Sequence, residues 1–91
     1  MSEPEIISFG RQFIDKYPTE EFKASLTRAF KNGRADFIVL DDNMNGQRFL
    51  AACAVWAIDQ GWLYNDNNQS DGQCRVSSFR LTKAGRKIIL G

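Results

Sequence analysis

The chain holds 91 residues, enough for one domain around a small core. Apolar residues make up 43% of it and aromatic ones 12%, which excludes a disordered tail. Twelve Lys+Arg against eleven Asp+Glu exclude a uniformly basic nucleic-acid coat, and the lack of any His removes the commonest general base, most zinc sites and every His-assisted nucleophile.

Ser2, Glu3 and Pro4 suit a helix start. Ile6, Phe9, Phe13 with Ile14, and Tyr17 then recur on one helical face until Pro18 closes the segment. Gly10 weakens this helix by ~1 kcal/mol relative to Ala and lets another element come close. Thr19 is placed to cap a second helix, with Glu20 and Glu21 in its first turn. Phe22, Leu26, Ala29 and Phe30 face inward, Lys23, Arg28 and Lys31 outward, and Asn32-Gly33 is a stop signal. Residues 1–33 therefore read as N-terminal helices.

Residues 36–41 read as a short strand, apolar enough in its middle to be buried on both faces. A loop through Asp41, Asp42, Asn43, Met44 and Asn45 leads to a helix over 46–60. Phe49, Leu50, Ala52, Cys53, Val55, Trp56, Ala57 and Ile58 leave that helix almost no polar face, so it belongs at the centre of the core. A hairpin over 62–81 follows. Its polar stretch from Asn65 to Gly72 reads as the connecting loop. Large apolar residues change parity between Val76 and Phe79, which predicts a bulge or twist there. Thr82 caps a last helix over 83–90, with Ala84, Ile88, Ile89 and Leu90 inward and Lys83, Arg86 and Lys87 outward.

The two cysteines make no disulfide framework. Cys53 reads as a buried free thiol; a bond to Cys74 requires helix and strand to bring the two together. Residues 1–8 lack an apolar leader stretch, and the longest apolar run, 49–58, is about half of a membrane span. The expectation is a cytoplasmic protein without a membrane partner. Asp36, Asp41 and Asp42 match no calcium-loop spacing, and no phosphate-cradling Gly loop or nucleophile motif occurs. No enzyme activity, metal or cofactor is expected.

From residue 46 the order is helix, Gly, strand, polar hairpin, strand and Thr-capped helix. Gln60-Gly61-Trp62-Leu63 and Leu81-Thr82-Lys83-Ala84-Gly85-Arg86-Lys87-Ile88 carry a resemblance to the winged-helix domains of MarR- and PadR-type bacterial regulators. The resemblance covers about half the chain, residues 46–90. In those domains two helices joined by a short turn precede the wing, whereas here a strand and loop separate helix 19–32 from helix 46–60. The resemblance implies one small α+β domain over 1–91, its helices packed on a three-stranded antiparallel sheet with a wing hairpin. It also implies a glycine closing the long helix in the left-handed conformation.

Its functional implication is a DNA-binding, transcription-related regulator, dimeric through the N-terminal helices. Asn43, Asn45, Gln47 and Arg48 map to the base-reading helix start. Arg75 and Arg80 on the wing, with Lys83, Arg86 and Lys87 behind, map to phosphate contacts. Residues 1–45 carry a net charge of −2 and residues 46–91 one of +3, so the basic excess lies in the wing half. Asp41, Asp42, Asp66 and Asp71 stand at the expected contact points and repel phosphate. The alternative is a protein-interaction module without DNA contact, an adaptor or small inhibitor of the kind phages and mobile elements encode. Met44, Trp62 and Tyr64 would be its interface residues, because aromatics and Met favour interface cores.

Overall fold

The computed structural model describes residues 5–41, 47–71 and 74–91, with the backbone alone at 71 and 74. Among the described residues, four α-helices pack with one three-stranded antiparallel sheet, giving an α+β domain of winged-helix-like layout. The helices are α1 (Glu5–Arg11), α2 (Thr19–Leu26), α3 (Arg48–Asp59) and α4 (Lys83–Ile89). The strands are β1 (Ile38–Asp41), β2 (Leu63–Asp71) and β3 (Cys74–Leu81), in the spatial order β1-β3-β2.

The N-terminal stripe forms, but not as one helix. α1 stops at Arg11, and a 3₁₀ turn, Ile14–Lys16, carries the chain on to Pro18. This break lets Phe9, Phe13, Ile14 and Tyr17 each reach the core edge. Gly10 is buried against α3, where a Cβ would lie 2.3 Å from the Ala51 carbonyl oxygen. The close approach foreseen for Gly10 is real, and its partner is α3.

α2 begins at Thr19, but Thr19 does not cap it. Pro18 holds the capping position in extended backbone without a side-chain bond, and its carbonyl accepts from the Glu21 N–H at 3.1 Å. The helix widens into a π turn, Thr27–Asn32, where the Gly33 N–H reaches the Arg28 carbonyl at 2.7 Å. Gly33 ends it with an ordinary negative φ, and the left-handed residue is Arg34 at φ 54°.

α3 is the centre of the core. Ala51, Ala52, Cys53, Ala54, Val55 and Ala57 are all buried. Small side chains let α1 and α2 pack closely on it. Aromatic rings close the gaps around it. Phe22 has its ring centroid 5.4 Å from Phe49 and 5.7 Å from Trp56, and Trp56 meets Trp62 edge-on at 5.1 Å. Tyr17 stands edge-on to Phe49 at 5.1 Å. Such tilted and edge contacts suit the ring quadrupole.

The end of α3 matches its sequence signal. Gly61 takes φ 80°, the Trp62 N–H bonds the Ala57 carbonyl at 2.9 Å, and the Gly61 N–H bonds that of Ile58 at 3.0 Å. This double bond across a left-handed glycine satisfies two orphan helix carbonyls.

The hairpin differs from expectation in length. Residues 65–71 belong to β2 rather than to a loop, paired with β3 out to Asp71 opposite Cys74. Polar side chains are no obstacle there, because the ladder needs only backbone groups. Asn65 also donates its amide to the Ser78 carbonyl at 3.0 Å. The irregularity lies on β2, between Asn65 and Asn67, and not on β3. β3 keeps strict alternation: Ser77, Phe79 and Leu81 are buried, while Val76, Ser78 and Arg80 face outward. The apparent parity change arises because the buried position before Phe79 is Ser77.

β1 is likewise one-sided. Leu40 is buried, but Phe37 and Val39 are 46% and 49% exposed. A sheet with all its helices on one face leaves the other to solvent. α4 buries only Gly85 and Ile89; Ala84, Ile88 and Leu90 are exposed. Its seven residues, about two turns, leave it a single inward row.

Candidate functional site

The joint between hairpin and α4 is fixed by Thr82. Its hydroxyl accepts from the Gly85 N–H at 3.0 Å and donates to the Gly61 carbonyl at 2.5 Å. The Thr82 N–H bonds the Trp62 carbonyl at 2.9 Å. One residue thus ties the end of β3, the start of α4 and the turn after α3 together.

The residues assigned to DNA are scattered in their chemistry. Asn43, Asn45 and Met44 lie outside the described residues. Gln47 is half-buried and donates its amide to the Asp41 carboxylate at 2.6 Å, which uses the group meant for a base edge. Arg48 is exposed, and its guanidinium lies over the Phe13 ring, 5.4 Å from the centroid. Arg75 pairs with Glu5 at 3.2 Å. Arg80 pairs with Asp66 at 3.0 Å and stacks over Phe37 at 5.2 Å from the ring centroid. The hydrogen bond that Arg80 donates to the Asp66 carboxylate raises the pKa of Arg80 further. Lys83, Arg86 and Lys87 are exposed along α4, their side chains without a hydrogen bond or ion pair among the described residues.

The residues assigned to a protein interface divide differently. Trp62 is half-buried, its ring held against Trp56, so it seals the core edge. Tyr64 is 43% exposed and stands opposite Arg80 on the outer face of the sheet.

Two surfaces escaped the sequence reading. The first is the outer sheet face. Phe37, Val39 and Val76 surround a shallow cavity of about 310 Å³ rimmed by Asp66, Asn67, Gln69, Ser78 and Arg80. The second is an apolar groove of about 240 Å³ at the free side of β1, between Leu26, Ala29, Ile38, Leu40, Leu50 and Cys53. Leu50, on α3, is 43% exposed at its mouth. The signal for both lay in the run Phe37-Ile38-Val39-Leu40, once it is divided between two faces.

Cys53 lies at the floor of this groove and is buried and free. Its thiol donates to the Phe22 carbonyl at 3.4 Å. Burial pushes its pKa to about 12, against a smaller lowering by Ser25. It is inert as a nucleophile. The side chain of Cys74 is outside the described residues. No group of three or more metal-ligating side chains occurs among the described residues. No described helix is long and apolar enough to cross a membrane.

The molecule is thus a small α+β domain of winged-helix-like layout that exposes apolar side chains on both sides of its short edge strand. Compared with protein-family models, curated proteins and solved structures, the chain has no match in any of the three.

Proposed function

We propose that this chain is a non-enzymatic, cytoplasmic protein-interaction module built on a winged-helix-like scaffold. The observation that carries the reading is the state of α3. In the resembling domains this helix presents side chains to DNA. Here six of its residues are buried, and among its twelve only Arg48, Leu50 and Asp59 are exposed. A helix without a polar, basic face has little to offer a major groove. The wing cations support the same reading, since Arg75 and Arg80 are each already paired with a carboxylate. Exposed Phe37, Val39, Leu50 and Tyr64 supply the apolar contacts that an interface core uses. The lack of any His supports a role without catalysis.

DNA binding by a regulator of transcription, as a homodimer, is the second reading. Lys83, Arg86 and Lys87, exposed and without ion pairs among the described residues, favour it as a phosphate-contacting row.

Retention on random duplex DNA at low and physiological salt separates the two. The interaction reading expects no retention at either salt. Strong retention at low salt that falls steeply as salt rises would overturn it and establish phosphate contact. In that case Lys87→Ala should weaken binding evenly across sequences, while Arg48→Ala should relax sequence preference.

A further inference from the structure

We infer that the joint face of α4 and the π turn Thr27–Asn32 binds an acidic segment of a partner protein, one that carries apolar side chains among its carboxylates. The inference rests on the protein-interaction reading and names the partner's chemistry.

Charge marks this face. α4 packs against the π turn. Neither is longer than about 10 Å, so their exposed side chains share one patch. The π turn and its exit bring Arg28, Lys31 and Arg34, and α4 brings Lys83, Arg86 and Lys87. All six are exposed, and none makes an ion pair among the described residues. The chain offers them no local partner, because no Asp or Glu occurs from Phe22 to Ala35 or from Gly72 to Gly91. Elsewhere Arg11, Arg75 and Arg80 each have a carboxylate partner within the fold, at 3.4, 3.2 and 3.0 Å. Like charges gathered on one patch repel one another, and an anionic partner relieves that repulsion.

Shape and apolar content favour a protein over other polyanions. Beside Arg28 the surface is hollowed. Lys23, Ala24, Thr27, Arg28 and Asn32 line an open depression of about 570 Å³ together with Glu20. The Glu20 carboxylate repels a phosphate there, whereas a protein segment meets it with one cation or a hydrogen-bond donor. On α4, Ile88 and Leu90 are 47% and 41% exposed beside the cations. A nucleic-acid backbone leaves both against water, and apolar residues of a protein segment cover them. The net charge of only +1 also gives the chain a weak long-range pull on a polyelectrolyte. Two side chains bury too little apolar area to anchor the chain in a lipid surface.

The test is selection of displayed random dodecapeptides on the immobilised full chain. The selected peptides should carry several Asp or Glu together with Leu, Ile or Phe. Their affinity should fall about tenfold in Arg28→Glu/Lys31→Glu and by a similar factor in Lys83→Glu/Lys87→Glu, because both pairs serve one patch. Ile88→Ser should weaken binding several-fold, and Lys in place of the peptide carboxylates should restore binding to the charge-reversed variants. All five positions are exposed, so these changes spare the fold, which circular dichroism checks. Backbone amide signals of Arg28, Lys31 and Lys87 should shift on binding, and those of Val39 and Tyr64 should not.

Failure to select any binder, selection of basic or uncharged peptides, or affinity unchanged in either double variant would overturn the inference. So would a footprint on Phe37, Val39 and Tyr64, although that result leaves the interaction reading standing. Sedimentation with phosphatidylserine vesicles that the same reversals abolish would overturn it in favour of a lipid surface. Salt-sensitive DNA retention lost in those variants would instead sink the interaction reading itself.

Discussion

The seam between α1 and α3 and the free side of β1 are both lined by apolar residues, yet they are opposite in character. At the seam, Gly10 removes its own side chain so that two backbones meet, and Ile6 and Ile7 are buried alongside. At β1, Val39 and Leu50 remain exposed and a groove stays open. The first region spends its apolar surface on stability, and the second leaves it available for a partner. Composition does not distinguish them; the number of elements packed against each does.

Substitutions should separate the two regions, and the largest effect belongs to the closed one. Phe22 is fully buried and touches the rings of Tyr17, Phe49 and Trp56. Phe22→Ala should cost about 4 kcal/mol, which in a chain of this size abolishes cooperative melting or lowers Tm by roughly 20 °C. An unchanged Tm would mean that the ring cluster is not the core.

Gly10→Ala tests the seam itself. The added Cβ would lie 2.3 Å from the Ala51 carbonyl oxygen, a backbone atom with no flexible way to retreat. Loss of about 3 kcal/mol in urea unfolding is expected. A change below ~0.5 kcal/mol would show that α1 and α3 lie further apart than described.

Thr82→Ala removes the cap of α4 and the bond to the Gly61 carbonyl, and should cost about 1–2 kcal/mol in the same assay.

Cys53 sharpens the contrast from the floor of the open groove. A thiol at pKa about 12 stays protonated when folded, whereas the unfolded thiol ionises near 9.0. The folded state then binds more protons, so stability falls as pH rises through this window, by about 1.4 kcal/mol per pH unit. Relative to Cys53→Ala, the wild type should lose stability with that slope above pH 9.0. Native Cys53 should also resist thiol reagents at neutral pH, and rapid labelling would show the groove floor to be open to water.

The smallest effect belongs to the open region. Val39→Lys, at a position 49% exposed, should leave Tm within about 2 °C of wild type. A large loss would show that this side is covered in the native protein.

Much of the architecture was legible because the signals are local. The Gly61 stop, the Thr82 cap and the apolar α3 each depend on residues within one or two turns, and each formed as read. Thr19 looked like a cap, yet its neighbour Pro18 already fixes the helix entry. The other misread positions depend on partners further along the chain. Asn65 to Asp71 looked like a loop, yet β3 supplies a full ladder for them. Arg75 and Arg80 looked available to phosphate, yet Glu5 and Asp66 reach them across the fold.

The amino-acid sequence by itself determined where α3 stops and α4 starts, and that the α3 segment is the apolar centre of a small fold. Periodicity, capping and glycine punctuation are short-range effects, so a linear text carries them. Only the tertiary structure decided which face of the sheet is covered, which cations are already paired, and that an apolar groove lies along the free edge of β1. Those properties follow from which distant segments share space, and charge or hydrophobicity along the chain does not record it.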